Sequence, residues 1–249
     1  MTLAKQFVQS ALGKFGYRLV RSNANGAPAY GLDCIFPLLK RFGFAPKHVI
    51  DVGANRGNWT RAALRYFPNA SYTLVEPQDE LKVHIQDLLD RGDGIRWINA
   101  GAGEKSGCLP FLISPRDDSS TFVEEEHGVP TRAIRRINVA VRTLDEILST
   151  LDLPIPDMVK IDAEGFDLKV LSGASSLIGK TQIFFIEAAV CCGYENRVSE
   201  VVGRMAKSGY ELLDLTDINR SPKYGVLWLF ELVFLKKGSR LLASVTSYE

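Results

Sequence analysis

Residues 49–57 read Val-Ile-Asp-Val-Gly-Ala-Asn-Arg-Gly, an apolar run that ends in a glycine-rich turn and is followed by a helical pattern. A buried parallel strand favours such a Val/Ile run, and Gly53 and Gly57 let the backbone turn sharply and approach a ligand without a Cβ in the way. About 20 residues later, a second apolar run ends at Glu76, where a carboxylate can accept hydrogen bonds from both hydroxyls of a ribose. The stretch therefore predicts a nucleoside-binding turn between a strand and a helix.

The residues of this turn narrow the choice of ligand. A dinucleotide-binding turn has the pattern G-x-G-x-x-G, whereas Asn55 stands at the second glycine position here. The chain also has no G-x-x-x-x-G-K-[ST] loop for a triphosphate. We therefore expect a ligand with an adenosine-type ribose and no phosphate, and S-adenosylmethionine fits this description best.

Composition favours one α/β enzyme domain in the cytoplasm. A chain of 249 residues that is 46% hydrophobic can bury a large core, and its net charge of +1 gives no bulk attraction to nucleic acid. The four cysteines lack the spacing of zinc ligands, and the pair at 191–192 is a poor disulfide candidate. The chain shows neither a signal-peptide pattern near its N-terminus nor an apolar stretch of about 18 residues or more. We expect reduced thiols and a cytoplasmic location.

Residues 1–46 are expected to form an N-terminal helical extension. Apolar residues from Leu3 to Phe15 recur at helical spacing and are interleaved with Lys and Arg, which predicts a short basic amphipathic helix. Such a helix can attach to an anionic membrane surface, or it can pack over the domain or against a second subunit. We favour packing against protein, and we keep peripheral membrane contact and a homo-oligomer as open alternatives.

From residue 47 onwards, the pattern alternates between strands and helices, which predicts a doubly wound α/β domain over 47–238 and a tail at 239–249. Parallel strands are expected at 48–52, 71–75, 95–99, 157–162 and 182–186. Helices are expected at 32–42, 58–66 and 80–91. Two later apolar segments, 209–215 and 226–235, predict an antiparallel hairpin with a polar turn at 217–224.

The regular pattern is interrupted around residues 103–141. Short strands are expected at 108–113 and 137–141, and a stretch rich in Ser, Asp and Glu separates them. Because loops over the strand ends usually carry specificity, we expect a lid-like or acceptor-binding insertion here.

Charged residues at the end of the strand at 157–162 form a second candidate site. Charges are disfavoured inside buried parallel strands, so Lys160, Asp162 and Glu164 indicate chemistry at the edge where open α/β sheets bind ligands. Asp162 or Glu164 is the candidate general base, with Lys160 as a charge partner. The alternative for Glu164 is a carboxylate that stabilises a helix N-terminus. These carboxylates together with Glu187 lack a distinctive metal-ligand spacing, and no metal is predicted.

The three histidines are the other candidate bases. His48 and His84 are expected at the surface, far from the cleft. His127 lies in the insertion among three glutamates, which would raise its pKa and make it a poorer base, although a lid can carry it to an acceptor. His127 is therefore the third candidate catalytic residue.

The chain resembles the FkbM-type S-adenosylmethionine-dependent methyltransferases between about Val49 and Glu187. The matching motifs are Asp51-Val52-Gly53-Ala54-Asn55-x-Gly57, Val75-Glu76-Pro77, Asn99-Ala100, Ser119-Ser120-Thr121, Arg142-Thr143-Leu144-Asp145 and Lys160-Ile161-Asp162-x-Glu164-Gly165. The resemblance implies a mostly parallel seven-stranded sheet with an antiparallel last strand. It also implies methyl transfer to an oxygen, often on a sugar or a polyketide-like acceptor. Asp167 stands where the family commonly has Glu, and we expect it to matter for packing.

The resemblance and the turn together suggest the cofactor-binding residues. They are Asp51, together with Gly53, Asn55 and Gly57 near the amino-acid part of the cofactor, Glu76 at the ribose, and Asn99 and Ala100 at the adenine edge. The expected partner is a small-molecule, carbohydrate or lipid-linked acceptor. An NAD(P)-dependent oxidoreductase and a non-catalytic nucleotide-binding module are the alternatives. A nucleic-acid substrate is disfavoured, since the chain has no basic stripe with interleaved aromatic residues.

Overall fold

The computed structural model describes residues 31–92, 94–114, 120–122, 135–190 and 195–247. Its helices are α1 (Leu32–Arg41), α2 (Asn58–Tyr66), a 3-10 helix (Asp79–Ile85), α3 (Gln86–Leu89), α4 (Leu144–Thr150), α5 (Asp167–Ser172) and α6 (Val198–Lys207). Its strands are β1 (His48–Val52), β2 (Ser71–Glu76), β3 (Ile95–Asn99), β4 (Gly101–Ala102), β5 (Gly107–Ile113), β6 (Thr121–Phe122), β7 (Arg135–Arg142), β8 (Met158–Ile161), β9 (Ile183–Ala189), β10 (Tyr210–Arg220) and β11 (Leu227–Lys236).

Seven of the strands form the main sheet in the order β10-β11-β9-β8-β1-β2-β3. The five strands from β9 to β3 are parallel, whereas β11 runs antiparallel to both of its neighbours. Every residue of the central strands β1 and β8 is buried, as expected for strands that are covered by helices on both faces. The predicted α/β fold, a mostly parallel seven-stranded sheet with an antiparallel last strand, is confirmed.

Helix α1 packs into one of the two cores that flank the main sheet. Its Phe36 ring is fully buried and lies 5.5 Å from the Trp59 ring of α2 and 5.6 Å from the Phe185 ring of β9, measured between centroids. Residues 32–41 therefore belong to the packed domain although they fall within the predicted extension 1–46. The boundary at residue 46 stays a prediction, and the predicted amphipathic helix before it lies outside the described residues.

The insertion contributes β5, β6 and β7 to a second, four-stranded sheet in the order β4-β7-β5-β6, and β4 directly precedes the insertion. Its long pair, β5 and β7, is antiparallel and has the apolar residues Phe111 and Val139 on the buried side. Phe122 of β6 stacks on Phe166, which follows β8 in the chain, with 4.9 Å between ring centroids. This contact fixes the described part of the insertion against the carboxyl edge of the main sheet, while most of its polar stretch, including residue 127, lies outside the described residues.

Two predicted elements differ from the structure. The helix expected at 80–91 is a 3-10 helix followed by the single turn of α3, because Ile85 has φ −115° and ψ 11°, outside the α region. The polar turn expected to begin at residue 217 lies later, since β10 continues to Arg220. A register shift after Thr216 sets two residues of β10 against one of β11, and Asp217 has φ 44° at this β-bulge.

The prediction of a surface position was wrong for His48. Its side chain is buried, with Nδ1 2.7 Å from the Pro154 carbonyl and Nε2 3.0 Å from Thr73 Oγ1. Through these two hydrogen bonds, the ring links β1 to β2 and to the segment before β8. Burial lowers the pKa of His48. His84 is exposed as expected. Within the described ranges, no helix combines the length and the hydrophobicity needed to cross a membrane.

Candidate functional site

A cavity of about 1020 Å³ lies at the carboxyl ends of β1, β2 and β8. Its walls come from the turns after these strands, from β5 and β6 of the second sheet, and from the hairpin of β10 and β11. Ligands of open parallel sheets bind at this edge, and the volume suffices for a nucleoside cofactor together with an acceptor. The charged residues of its lining include Glu76, Lys160, Asp162, Glu164 and Glu231.

Gly53 closes the end of β1 against the end of β8. Its φ is 70°, its N–H donates to the Val75 carbonyl at 2.9 Å, and a Cβ at this position would lie only 1.8 Å from the Asp162 carbonyl oxygen. The sequence predicts that the missing Cβ makes room for a ligand. The contact that it permits here is instead between two strand ends, which brings Gly53 and Asp162 together in the cavity wall.

Gly57 allows the turn after β1 to pack closely against neighbouring helices. A Cβ at Gly57 would lie 2.9 Å from Leu88 and 3.0 Å from Ile85, so this glycine lets the α2 N-terminus pack under the 3-10 helix and α3. Gly57 also has φ 73° and donates its N–H to the Ala54 carbonyl at 2.7 Å. It is absent from the cavity lining, so any effect of Gly57 on a ligand acts through the shape of the turn.

Asn55 and Glu76 join the turns after β1 and β2. The Asn55 N–H donates to Glu76 Oε2 at 2.9 Å, and the Gln78 N–H donates to Glu76 Oε1 at 3.0 Å. The Glu76 side chain lines the cavity and only 3% of the residue is exposed. Burial raises the pKa of Glu76, while the two N–H donors oppose this shift. The carboxylate is thus held in one orientation before any ligand binds.

Lys160 lies in the cavity floor as a buried cation. Its Nζ donates to the Gly53 carbonyl at 3.0 Å and lies 3.1 Å from Asp162 Oδ2 and 3.5 Å from Asp51 Oδ1. Burial acts to lower the pKa of Lys160, but the Asp162 and Asp51 carboxylates outweigh it and raise the pKa above its ordinary value. The predicted charge partnership of Lys160 is therefore seen, and it ties β8 to the turn after β1.

Besides Gly57, three predicted cofactor-binding residues lie beside the cavity rather than in its lining. Asp51 is fully buried under the floor, where Thr60 Oγ1 donates to its Oδ2 at 2.5 Å. The Asn99 amide donates to the carbonyls of Glu76 and Pro77, and Ala100 is buried. The wall after β3 is formed by residues 101 and 102 instead. The assignment of Asn99 and Ala100 to the cofactor stays a prediction.

The candidate bases Asp162 and Glu164 both line the cavity. The Asp162 side chain is 35% exposed and paired with Lys160. Glu164 has φ 50°, and its carbonyl accepts a hydrogen bond from Thr121 Oγ1 of the second sheet at 2.8 Å. His127 lies outside the described residues. Among the residues that are described, no group of three or more His, Cys, Asp or Glu side chains is arranged to hold a metal ion.

Asp167 holds the loop between β8 and α5 in place. Its carboxylate is fully buried and accepts hydrogen bonds from the N–H groups of Ala163 and Gly165 and from the Asn196 amide. Burial raises the pKa of Asp167 to about 7. Asp167 is also the first residue of α5, so the helix N-terminal position considered for Glu164 is taken by Asp167.

The residue most clearly missed by the sequence analysis is Glu231. It lines the cavity from β11, only 6% of it is exposed, and burial raises its pKa to about 8. A signal was present, because Glu231 is the one charge inside the apolar run 226–235. Asp217 and Ile218 also reach the cavity, since the β-bulge of β10 directs this segment toward it.

Comparison with known proteins agrees with this geometry. A family model described as the Methyltransferase FkbM domain matches residues 51–212. Hexuronic acid methyltransferase AglP of Haloferax volcanii is 27% identical over 140 residues, covering 55% of this chain and 54% of that protein. The 2-O-methyltransferase NoeI of Sinorhizobium fredii is 23% identical over 150 residues, covering 56% and 62%. The chain thus spans little more than half the length of these two relatives.

Among solved structures, magnesium protoporphyrin IX methyltransferase (ChlM) of Synechocystis PCC 6803 aligns with 95% of this chain and 99% of its own, at 11% identity and a TM-score of 0.46. A similarity this weak adds nothing to the fold that the strand order already defines. The family match is much more specific, since it covers more than half of the chain, from β1 into β10. The chain therefore belongs to the FkbM methyltransferase family, whose cofactor is S-adenosylmethionine.

Proposed function

We propose that this chain is an S-adenosylmethionine-dependent O-methyltransferase that acts on a hydroxyl of a sugar, glycolipid or secondary-metabolite acceptor. The observation that carries the proposal is the buried Glu76 carboxylate, which two backbone N–H groups hold at the cavity wall. The names of two relatives, a hexuronic acid methyltransferase and a 2-O-methyltransferase, support an oxygen of a carbohydrate as the acceptor.

The Glu76 carboxylate has the acceptor capacity that a ribose requires. A carboxylate offers about four lone-pair positions, and two of them receive the Asn55 and Gln78 N–H groups. The remaining positions can accept from the two ribose hydroxyls. Charge-assisted hydrogen bonds of this kind are worth about 1.5 to 3 kcal/mol each. Glu76 therefore fits the cofactor of the family.

The other predicted binding residues take supporting roles in this proposal. Gly53 and Asn55 line the wall near the amino-acid part of the cofactor, and Gly57 shapes their turn. Asp51 acts through Lys160, which donates to the Gly53 carbonyl. Asn99 and Ala100 stay the predicted adenine edge, and residues 101 and 102, which follow them and line the cavity, would complete it.

When bound, the cofactor supplies a methyl group carried on a sulfonium. The task of the chain is to hold the acceptor oxygen about 3 Å from that carbon and to remove its proton. The carboxylates of Asp162 and Glu164 face the cavity at the end of β8 and provide polar groups for the acceptor. A catalytic role for His127, a cytoplasmic location, membrane contact and a homo-oligomer remain predictions.

Titration calorimetry with S-adenosylhomocysteine and, separately, with NAD tests the choice of cofactor. We expect binding of adenosylhomocysteine and none of NAD, and the reverse result would refute the proposal in favour of an oxidoreductase. The acceptor is then sought by incubating the protein with methyl-labelled cofactor and fractions of glycans, glycolipids and small metabolites. Label that appears only on protein or nucleic acid would contradict the acceptor class.

A further inference from the structure

The antiparallel strand β11 brings Glu231 into the same row of side chains as Asp162. Glu231 lies directly opposite Glu187 of β9 and opposite Thr216 of β10. Asp162 directly follows the last residue of β8, Ile161, which pairs with Ile186, the residue before Glu187. Because cross-strand partners point to the same face of a sheet, these side chains form one row across neighbouring strands. Asp162 and Glu231 both line the cavity.

The two carboxylates differ in their charge partners. Asp162 is paired with a cation, since the Lys160 ammonium lies 3.1 Å from its Oδ2. The Lys160 ammonium also donates to the Gly53 carbonyl and lies 3.5 Å from Asp51 Oδ1. Glu231 is held by a neutral donor, the buried hydroxyl of Thr216, which donates to its Oε2.

Glu231 lies at the opposite end of the cavity from Glu76, the proposed ribose contact. Four strand spacings separate β11 from β2, whose last residue is Glu76. At about 4.8 Å per spacing, this amounts to roughly 19 Å across the sheet. A cofactor that is held by its ribose at Glu76 therefore leaves the β11 side of the cavity to the acceptor.

We propose that Glu231 is a further catalytic residue of this site, the group that takes the proton from the acceptor hydroxyl. Asp162, fixed by Lys160, then orients the acceptor. The acceptor O–H bond breaks as Glu231 takes the proton, the oxygen forms its bond to the methyl carbon, and sulfur keeps the electron pair of the broken carbon–sulfur bond. This inference rests on the proposed function.

The charged surroundings of Glu231 give it a base strength suited to this task. Burial raises the pKa of Glu231, whereas the Thr216 hydrogen bond and the Lys160 charge lower it. The Asp162 and Asp217 charges raise it further, and the net pKa is about 8. Glu187, its neighbour in the row, is also an acid whose pKa is raised by burial and by nearby carboxylates. A general base is most effective when its pKa lies near the working pH.

The test compares Glu231→Gln with Glu211→Gln, an exposed glutamate on the same hairpin. With an acceptor found in the labelling screen, the rate of the unaltered protein should rise with pH to a plateau above about pH 8. Glu231→Gln should lower the rate by about 10²- to 10⁴-fold and remove this rise. It should bind adenosylhomocysteine with an affinity close to that of the unaltered protein, and Glu211→Gln should match the unaltered protein throughout.

A second variant, Thr216→Val, removes the hydroxyl that lowers the pKa of Glu231 while keeping the side-chain shape. It should move the rise in rate to higher pH. Infrared difference spectra of the unaltered protein against Glu231→Gln, recorded at neutral pH without cofactor or acceptor, should show the carbonyl band of a protonated carboxyl group at Glu231. The difference cancels the bands of other buried acids that both proteins share, among them Asp167 and Glu187.

A Glu231→Gln protein with an unchanged rate and pH profile would overturn the inference. Loss of adenosylhomocysteine binding in this variant would also overturn it, since Glu231 would then hold the cofactor. Failure of the proposed function looks different, because the unaltered protein itself would then bind no adenosylhomocysteine. In that case the infrared band still reports whether Glu231 holds a proton at neutral pH, and its absence counts against the inference independently.

Discussion

Replacement of Gly53 by alanine should destabilise the chain through a specific collision between two strand ends. The added Cβ would lie 1.8 Å from the Asp162 carbonyl oxygen, whereas real Cβ atoms essentially never approach within 3.0 Å. The two strand ends would have to separate by about 1.2 Å, the difference between these distances. That movement opposes the pairing of β1 with β8 and the hydrogen bond from Lys160 to the Gly53 carbonyl.

The loss in free energy of unfolding that we expect for Gly53→Ala has two parts. The φ of 70° at Gly53 costs alanine about 1 to 2 kcal/mol. Overpacking of a close contact costs about 1 to 3 kcal/mol more. We therefore expect Gly53→Ala to lower the free energy of unfolding by about 2 to 5 kcal/mol, a large share of the stability of an ordinary domain.

Gly238→Ala is the matched control for this experiment. Gly238 has φ 71°, nearly the same as Gly53, but a Cβ there would meet no atom within 4 Å. It should therefore lose only the backbone part, about 1 to 2 kcal/mol. Urea unfolding measures both variants, and calorimetry on the folded Gly53→Ala protein should show weakened adenosylhomocysteine binding. Equal losses for the two glycines would refute the argument from close approach.

Three further variants test the buried charges. Lys160→Met leaves Asp51 without its cation and should lower the free energy of unfolding in urea by about 3 to 5 kcal/mol. The control Lys207→Met, at an exposed position, should change it little. Equal losses for the two variants would contradict the buried charge network. Asp167→Ala leaves three buried hydrogen-bond donors without their acceptor. It should lower the free energy of unfolding by about 3 kcal/mol or more, as measured by urea unfolding. Burial raises the pKa of Glu231 from 4.5 in the unfolded chain to about 8, so the folded state binds its proton more tightly and the free energy of unfolding should fall between these pH values. Unfolding of Glu231→Gln across the same pH range should lack this part of the fall, and an unaltered slope would count against the protonated glutamate.

The main sheet could be predicted because each of its strands carries its own signal. The central strands β1 and β8 are short, fully buried and mostly apolar, and a helix separates β1 from the next strand in the chain. Such runs can be recognised without knowing their neighbours. The turn after β1 and Glu76 were identifiable for the same reason, since both follow directly from a strand end.

Features that depend on pairing between distant segments could not be predicted in this way. Glu231 reaches the cavity only because β11 pairs with β9 in one register, and a shift by one residue would turn its side chain to the other face. The burial of His48 depends on the Pro154 carbonyl, which is 106 positions away in the sequence. The pairing of β5 with β7 in the second sheet is likewise a contact between segments that are separated by the polar stretch.

The most direct test of the account is the affinity of S-adenosylhomocysteine for the unaltered protein and for Glu76→Gln, measured by titration calorimetry with Glu211→Gln as control. Loss of one charge-assisted hydrogen bond, worth about 1.5 to 3 kcal/mol, corresponds to an affinity that is about 10- to 150-fold weaker. We predict this loss for Glu76→Gln and an unchanged affinity for the control. Equal binding by the unaltered protein and Glu76→Gln, or no binding by either, would contradict the assignment of this cavity to the cofactor.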